Sequence, residues 1–181
     1  VSIKEFCGRR DITENIDYIL AKYESMPRSC HDLGIGSSVL LKTILDDPNT
    51  YVLISTVNGK ALGFCVLVYT PRAATTYQKM HVYILCSAKQ YAGIGRHIME
   101  HAMTICLRHR VPYLNLNAVP NAVGFYKRLG FDVVRKRFRS EAIKKDAGLV
   151  HMKLNVLWYF SCWIRSNLSE NDKKNIRMVF D

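Results

Sequence analysis

Two glycines, Gly93 and Gly95, stand between an apolar run that ends near Ser87 and a helix-periodic run that opens at Ile94. That order builds a phosphate site from backbone alone. The first N–H groups of a helix lack carbonyl partners, the helix dipole is positive there, and glycine lets the chain approach a polyanion closely. Immediately behind it, His97-Ile98-Met99-Glu100-His101 spells H-x-x-E-H, a pattern in which two histidines on one helix face share a zinc ion and the glutamate activates water. The context argues against the metal. The pattern follows the glycine loop directly, and a third ligand such as Glu141 falls in a basic segment. His97, His101, Thr104 and Arg108 form a stripe beside the core stripe of Ile94, Ile98, Ala102 and Ile105, so they read as partly exposed surface residues and no metal is expected. A second short glycine pattern, Gly34-Ile35-Gly36, has neither a preceding strand nor a following Lys-Ser/Thr pair and is not a phosphate loop.

Gln90-Tyr91-Ala92-Gly93-Ile94-Gly95 also fits Q/R-x-x-G-x-G/A, and further on Ala122-Val123-Gly124-Phe125-Tyr126-Lys127-Arg128-Leu129-Gly130-Phe131 fits A-x-x-F/L-Y-x-x-x-G-F. Two such matches in this order and at this separation resemble the signatures of the GNAT superfamily of N-acetyltransferases. The resemblance covers residues 1–156. It implies an enzyme that brings acetyl-CoA and a primary amine together in one ternary complex, where the amine attacks the thioester directly. The acceptor is a small-molecule amine, a peptide N-terminus or a lysine. The implied cofactor contacts fall on the strand before the loop, Leu85, Cys86 and Ser87, with the Leu85 N–H polarising the thioester carbonyl. They continue through Gln90, Tyr91, Ala92, Gly93, Ile94, Gly95 and Arg96, whose amides meet the pyrophosphate. An N–H fixed in a dry cleft stabilises a developing oxyanion more than water does. Tyr126 aligns with a tyrosine that protonates the departing thiolate, a task suited to a phenol of pKa about 10 that stays protonated at neutral pH; a packing role is the other reading. Asn121 or Asn117 would hold the cofactor arm. The asparagine the family commonly places ahead of this tyrosine is Val119 here.

A proton acceptor for the amine is harder to find. The family's strand glutamate corresponds to Lys79, and no acidic residue lies between Asp47 and Glu100. His81 has the strand parity of Tyr83 and Leu85, which would face it into the cleft as a water-relayed base; a buried structural histidine is the alternative. Deprotonating a lysine amine at pH 7 costs about 4.6 kcal/mol, an α-amine only about 1.4 kcal/mol, so a site without a carboxylate favours the easier amine. The missing carboxylate also keeps a second reading open: a GNAT-fold protein that binds acyl-CoA or a partner with little turnover.

The elements that would hold these residues follow in order. Residues 1–6 read as a strand. Asp11 with Glu14 resembles a capping box for a helix over 12–25, and a second helix carries residues 39–45. Strands at 51–57 and 61–69 flank Asn58-Gly59, a strong hairpin signal. A strand over 77–86 leads into the loop and a helix over 94–109 before Pro112. Then come a strand at 113–118, a helix at 121–129 stopped by Gly130, and strands at 131–138 and 148–156. The fold class is α/β with a mixed, mostly antiparallel sheet of about six or seven strands flanked by about four helices.

Composition bounds the rest. A chain of 181 residues suits one domain with a full core. Residues 1–156 would form it, with 157–181 as an aromatic and basic extension. The stretch 157–164, LWYFSCWI, is too apolar to leave in water and too short to span a bilayer. It is expected to pack on its own domain or on a second subunit, giving a homo-oligomer; an interfacial membrane anchor is the lesser alternative. No transmembrane segment or signal peptide is expected, although Val1 leaves open that the chain was processed or trimmed. The net charge of +11 favours anionic partners, but the basic residues are dispersed without a nucleic-acid motif, so no nucleic acid is expected. Six unpatterned cysteines read as reduced, mostly buried thiols of a cytoplasmic protein.

Overall fold

The computed structural model describes residues 1–26, 44–73, 78–88, 91–134 and 148–167. A seven-stranded sheet runs through it in the order β1-β2-β3-β4-β5-β7-β6. The strands are β1 (Ser2–Cys7), β2 (Thr50–Val57), β3 (Lys60–Thr70), β4 (Lys79–Ser87), β5 (Tyr113–Ala118), β6 (Asp132–Val133) and β7 (Val150–Asn155). All neighbouring pairs are antiparallel except β4 with β5. The described helices are α1 (Gly8–Glu14), α2 (Ile16–Glu24), α3 (Ile94–Arg108), α4 (Val123–Arg128) and α5 (Val156–Asn167), with a 3₁₀ turn at Pro120–Ala122. This is the expected mixed sheet, and five helices stand among the described residues.

Each face of the sheet has its own core. On one, Ile98, Met99, Ala102 and Ile105 of α3 meet Leu53, Leu67, Met80, Val82, Leu114 and Leu154. On the other, Ile12, Ile19 and Tyr23 of the first two helices cover Phe6, Val52, Ile54, Phe64 and Ile84. Burying one such aliphatic side chain contributes about 1.5–3 kcal/mol. The β2–β3 hairpin turns at Asn58 and Gly59, both at positive φ (48° and 75°), as a two-residue turn matched to the strand twist requires.

The N-terminal helix differs from expectation. It begins at Gly8, ahead of Asp11, and breaks at Asn15 into two helices. Asp11 does not cap from outside: its Oδ2 accepts the Cys7 N–H at 2.8 Å, and Asn15 Nδ2 bonds back to the Asp11 carbonyl at 2.9 Å. Residues 39–43 of the helix expected at 39–45 and residues 135–138 of the strand expected at 131–138 lie outside the described residues; the described part of that strand is Asp132–Val133. The stretch 157–167 is helical. Tyr159 and Phe160 pack on the α3-side core, while Leu157 and Trp158 are exposed. Cys65 and Cys106 are buried free thiols, but Cys7 and Cys162 are exposed and Cys86 is disulfide-bonded, so the cysteines are not uniformly buried and reduced. No helix among the described residues is long and apolar enough to cross a membrane.

Candidate active site

The site is organised by what happens along β4. One edge stays bonded to β3 from Thr70↔Lys79 to Gly63↔Ser87. The other edge meets β5 only at Met80↔Leu114, His81↔Asn115 and Val82↔Leu116, after which the two parallel strands part. The backbone from Tyr83 to Ser87 therefore borders a gap between strands. Extended amides at such an edge can bond a ligand in place of a strand.

The same stretch carries a bulge. Val66 pairs with Ile84 and Leu67 with Val82, which leaves Tyr83 as the extra residue. An inserted residue reverses the alternation beyond it. Met80 and Val82 enter the α3-side core, Ile84 and Cys86 enter the opposite core, and Leu85 packs toward α3. His81, paired with Val68, lies on the face away from Leu85. The parity argument that joined His81 to Leu85 therefore fails, because period-two reasoning does not survive an inserted residue.

Beyond Ser87 the chain is pinned by the Ala88 N–H bonding Leu62 O at 2.8 Å and the Tyr91 N–H bonding Ala88 O at 3.2 Å. Gln90 lies outside the described residues. Gly93 caps α3 in the left-handed conformation (φ 87°) with no side-chain cap. The first helical bond runs from the His97 N–H to Gly93 O at 2.9 Å, so the N–H groups of Ile94, Gly95 and Arg96 have no acceptor within the helix. Gly95 is glycine for a different reason: a Cβ there would lie 3.2 Å from Phe125 and 3.3 Å from Ser87 Oγ. The first glycine sets the turn and the second lets α3 seat against α4 and the end of β4. Tyr91, Ala92 and Arg96 are exposed at this helix start, and Ile94 is buried beneath it.

Tyr126 is buried, edge-on to Phe125 (5.1 Å between ring centroids) and Phe131 (5.6 Å). Burial, with a smaller contribution from the Cys65 thiol, pushes its phenol above the ordinary range. Cys65 is the cross-strand partner of Leu85, so the phenol and the Leu85 backbone belong to one neighbourhood. Asn121 is exposed in the 3₁₀ turn after β5. Asn117 is engaged elsewhere, its Oδ1 lying 3.0 Å from His151 Nδ1.

On the opposite face, His81 packs edge-on to Tyr83 at 4.8 Å. Burial, then the charges of His151 and Lys79, lower its pKa to about 4. The register aligns His81, Asn115 and Lys153 in one row and Asn117 with His151 in the next. His151 was not singled out from the sequence. The alternation of polar residues in Asn-Leu-Asn and His-Met-Lys was the available signal, but it does not say which strands lie side by side. The H-x-x-E-H residues point to separate partners: His101 Nε2 lies 2.8 Å from Glu5 Oε2, while Glu100 engages Arg96 and Tyr159.

A parted pair of parallel strands leads through a glycine turn into an open helix start, the arrangement that the sequence resemblance implies. A family model described as an acetyltransferase (GNAT) domain matches residues 35–156, and the chain belongs to that family. No curated protein sequence matches it. Among solved structures, Tetrahymena GCN5 is similar at a TM-score of 0.62 and 16% identity, over 86% of this chain and 96% of that one. An acyl-CoA N-acyltransferase from Pseudomonas aeruginosa gives 0.60 and 17% identity over 85% and 99%. A chain of a NatC complex bound to Gag peptide and CoA gives 0.60 and 17% over 86% and 99%. These likenesses establish the fold.

Proposed function

We propose that this protein transfers the acetyl group of acetyl-CoA to a primary amine, with the two substrates meeting at the gap between β4 and β5. The observation that carries the reading is the continuity from the free edge of β4 to the unbonded amides of α3, with Tyr126 buried beside the same segment. A helix start and a strand edge supply N–H donors without a metal or a cationic cage. The pyrophosphate would take the amides of Ile94, Gly95 and Arg96, with Tyr91, Ala92 and Gly93 forming the turn; Gln90 remains a proposed contact. The pantetheine arm would lie along residues 85–87, with Asn121 at the far wall. The Leu85 N–H would polarise the thioester.

In the reaction, the amine nitrogen bonds the acetyl carbon, the carbon–sulfur bond breaks, and coenzyme A leaves as a thiolate that takes up one proton; the ammonium form of the acceptor sheds one further proton to solvent. A phenol raised above its ordinary pKa stays neutral, so Tyr126 can donate a hydrogen bond to the thiolate from its first appearance. The proton acceptor is a different matter. A His81 pKa near 4 lies about 4 units below an α-amine, a gap of about 5 kcal/mol for direct transfer. This supports the structural reading of His81 and an acceptor whose amine deprotonates readily, such as an α-amine. The NatC neighbour's peptide is in keeping with that choice.

The second reading, a binder of acyl-CoA with little turnover, is favoured by Lys79 at the position of the family glutamate and by that low His81 pKa. Release of free thiol from acetyl-CoA against small amines, N-terminal peptides and lysine peptides tests the choice. Acceptor-dependent release is expected; coenzyme binding without release would establish the binder instead.

A further inference from the structure

Arg96 occupies the third position of α3, where the helix dipole disfavours a cation unless an anion sits beside it. The resident anion is Glu100: its Oε1 lies 2.9 Å from Arg96 Nε. The same oxygen accepts the Tyr159 hydroxyl at 3.0 Å. Tyr159 belongs to α5, which begins at the last residue the family model matches, and it is held in place by packing on the α3-side core and edge-on against Phe160. A residue of α5 thus touches the carboxylate that holds Arg96 in the first turn of α3.

We propose that Glu100 is an internal competitor of the coenzyme for Arg96, and that Tyr159 is a positioning residue through which α5 sets acyl-CoA affinity. The inference rests on the coenzyme phosphates binding at the start of α3. Arg96 is well exposed and Glu100 less so, 61% against 36%, so the guanidinium is the partner with room to swing. A phosphate offers it a stronger, bidentate bond than one carboxylate oxygen does. Moving Arg96 to a phosphate leaves Glu100 with a negative charge near a polyanion, and the Tyr159 hydroxyl keeps that charge hydrogen-bonded while the exchange occurs. Without the hydroxyl, Glu100 depends more heavily on Arg96 and gives it up less readily.

The test is calorimetric affinity of the full chain for coenzyme A and for 3′-dephospho-coenzyme A. Glu100→Gln is expected to tighten coenzyme A by about two- to fivefold, since exposed pairs at this helix spacing are weak but opposed here by a direct repulsion. Tyr159→Phe is expected to weaken it about twofold, and to have no effect when Glu100→Gln is already present. A merely structural Tyr159 would weaken binding equally in both backgrounds, and that result would overturn the proposal. So would unchanged affinity in Glu100→Gln with unaltered melting. If the Glu100→Gln gain survives with the dephospho form, Arg96 moves to the pyrophosphate; if it vanishes, Arg96 moves to the 3′-phosphate; either supports the exchange. Failure of the unaltered protein to bind coenzyme A at all would overturn the site at α3 and this inference together, whereas binding that the Glu100 and Tyr159 variants leave untouched overturns only the inference.

Discussion

Past Tyr83, β4 turns Leu85 and Ser87 toward α3 and the glycine turn; before it, His81 faces the other way, in a row with Asn115 and Lys153 and close to His151. The first side is made of contiguous chain. Strand edge, turn and helix start follow one another, and each depends on residue types that state their own backbone conformation. The second side is made by register, three strands from distant parts of the sequence brought into rows. What differs is therefore the distance over which the chain must be known before the chemistry can be read, and the two sides should respond differently to substitution.

The largest effect belongs to the contiguous side. Gly93→Val places a β-branched residue at φ 87°, and Gly95→Val drives a Cβ against Phe125 and Ser87. Either is expected to lower acetyl-CoA affinity about a hundredfold or more by calorimetry. Gly93→Asn is the control, because asparagine tolerates the left-handed region, and it should retain most of the binding. Undiminished binding in both valine variants would remove the cofactor site from this helix.

Tyr126→Phe comes next. Loss of one positioned hydroxyl is expected to lower kcat about ten- to a thousandfold with little change in acetyl-CoA affinity, measured by steady-state kinetics. Full activity would return Tyr126 to its packing role against Phe125 and Phe131.

The glycine turn and the helix that carries Tyr126 were legible because glycine patterns and an aromatic before a Gly-Phe stop survive as short strings. The order of elements along the chain and the Asn58-Gly59 hairpin were legible for the same reason. The bulge was not. Val82-Tyr83-Ile84 reads as ordinary strand, and nothing local announces that Tyr83 lacks its own cross-strand partner; one extra residue then moved His81 to the opposite face. Likewise, Asp11 reads as a cap when only its neighbours are known, whereas the helix that starts at Gly8 makes it an interior residue reaching back to Cys7.

A smaller, pH-dependent effect probes the side made by register. The fold depresses the His81 pKa to about 4 from an unfolded value near 6.5, so it favours the neutral ring. The stability this contributes is fully present above pH 6.5 and is lost as pH falls toward 4, because the unfolded chain takes up the proton first. Urea denaturation at pH 7 and pH 4.5 should show an acid loss about 2–3 kcal/mol greater in the unaltered protein than in His81→Asn. The pH–rate profile should keep any limb between pH 6 and 7 in that variant. A limb that disappears with His81 would make it the proton acceptor after all and restore the chemistry that the bulge argues against.

The smallest effect separates nearness in sequence from legibility. The helices α3 and α4 end by the same device: Val111 N–H bonds Cys106 O at 2.8 Å and Arg110 N–H bonds Leu107 O at 2.9 Å, just as Phe131 N–H bonds Tyr126 O and Gly130 N–H bonds Lys127 O, both at 3.0 Å. Both closing residues are left-handed, Gly130 at φ 89° and Arg110 at φ 55°. Only the glycine announces itself, so α4 has a readable stop while the end of α3 is readable only from Pro112 beyond it. Arg110 holds this conformation at a cost of about 1 kcal/mol, the penalty for a side chain in the left-handed region. Its carbonyl accepts Gln78 Nε2 at 2.7 Å, a bond that a glycine would preserve. Arg110→Gly is therefore expected to raise stability by somewhat under about 1 kcal/mol, after the greater flexibility glycine gives the unfolded chain is deducted. Gly130→Ala should lower it by about 1–2 kcal/mol, from the strain of a side chain at φ 89°; the added Cβ would meet Leu154 only at an ordinary contact distance of 3.4 Å. Opposite signs in chemical denaturation would tie both stops to backbone conformation; a destabilising Arg110→Gly would mean that the arginine side chain makes a contribution larger than its strain.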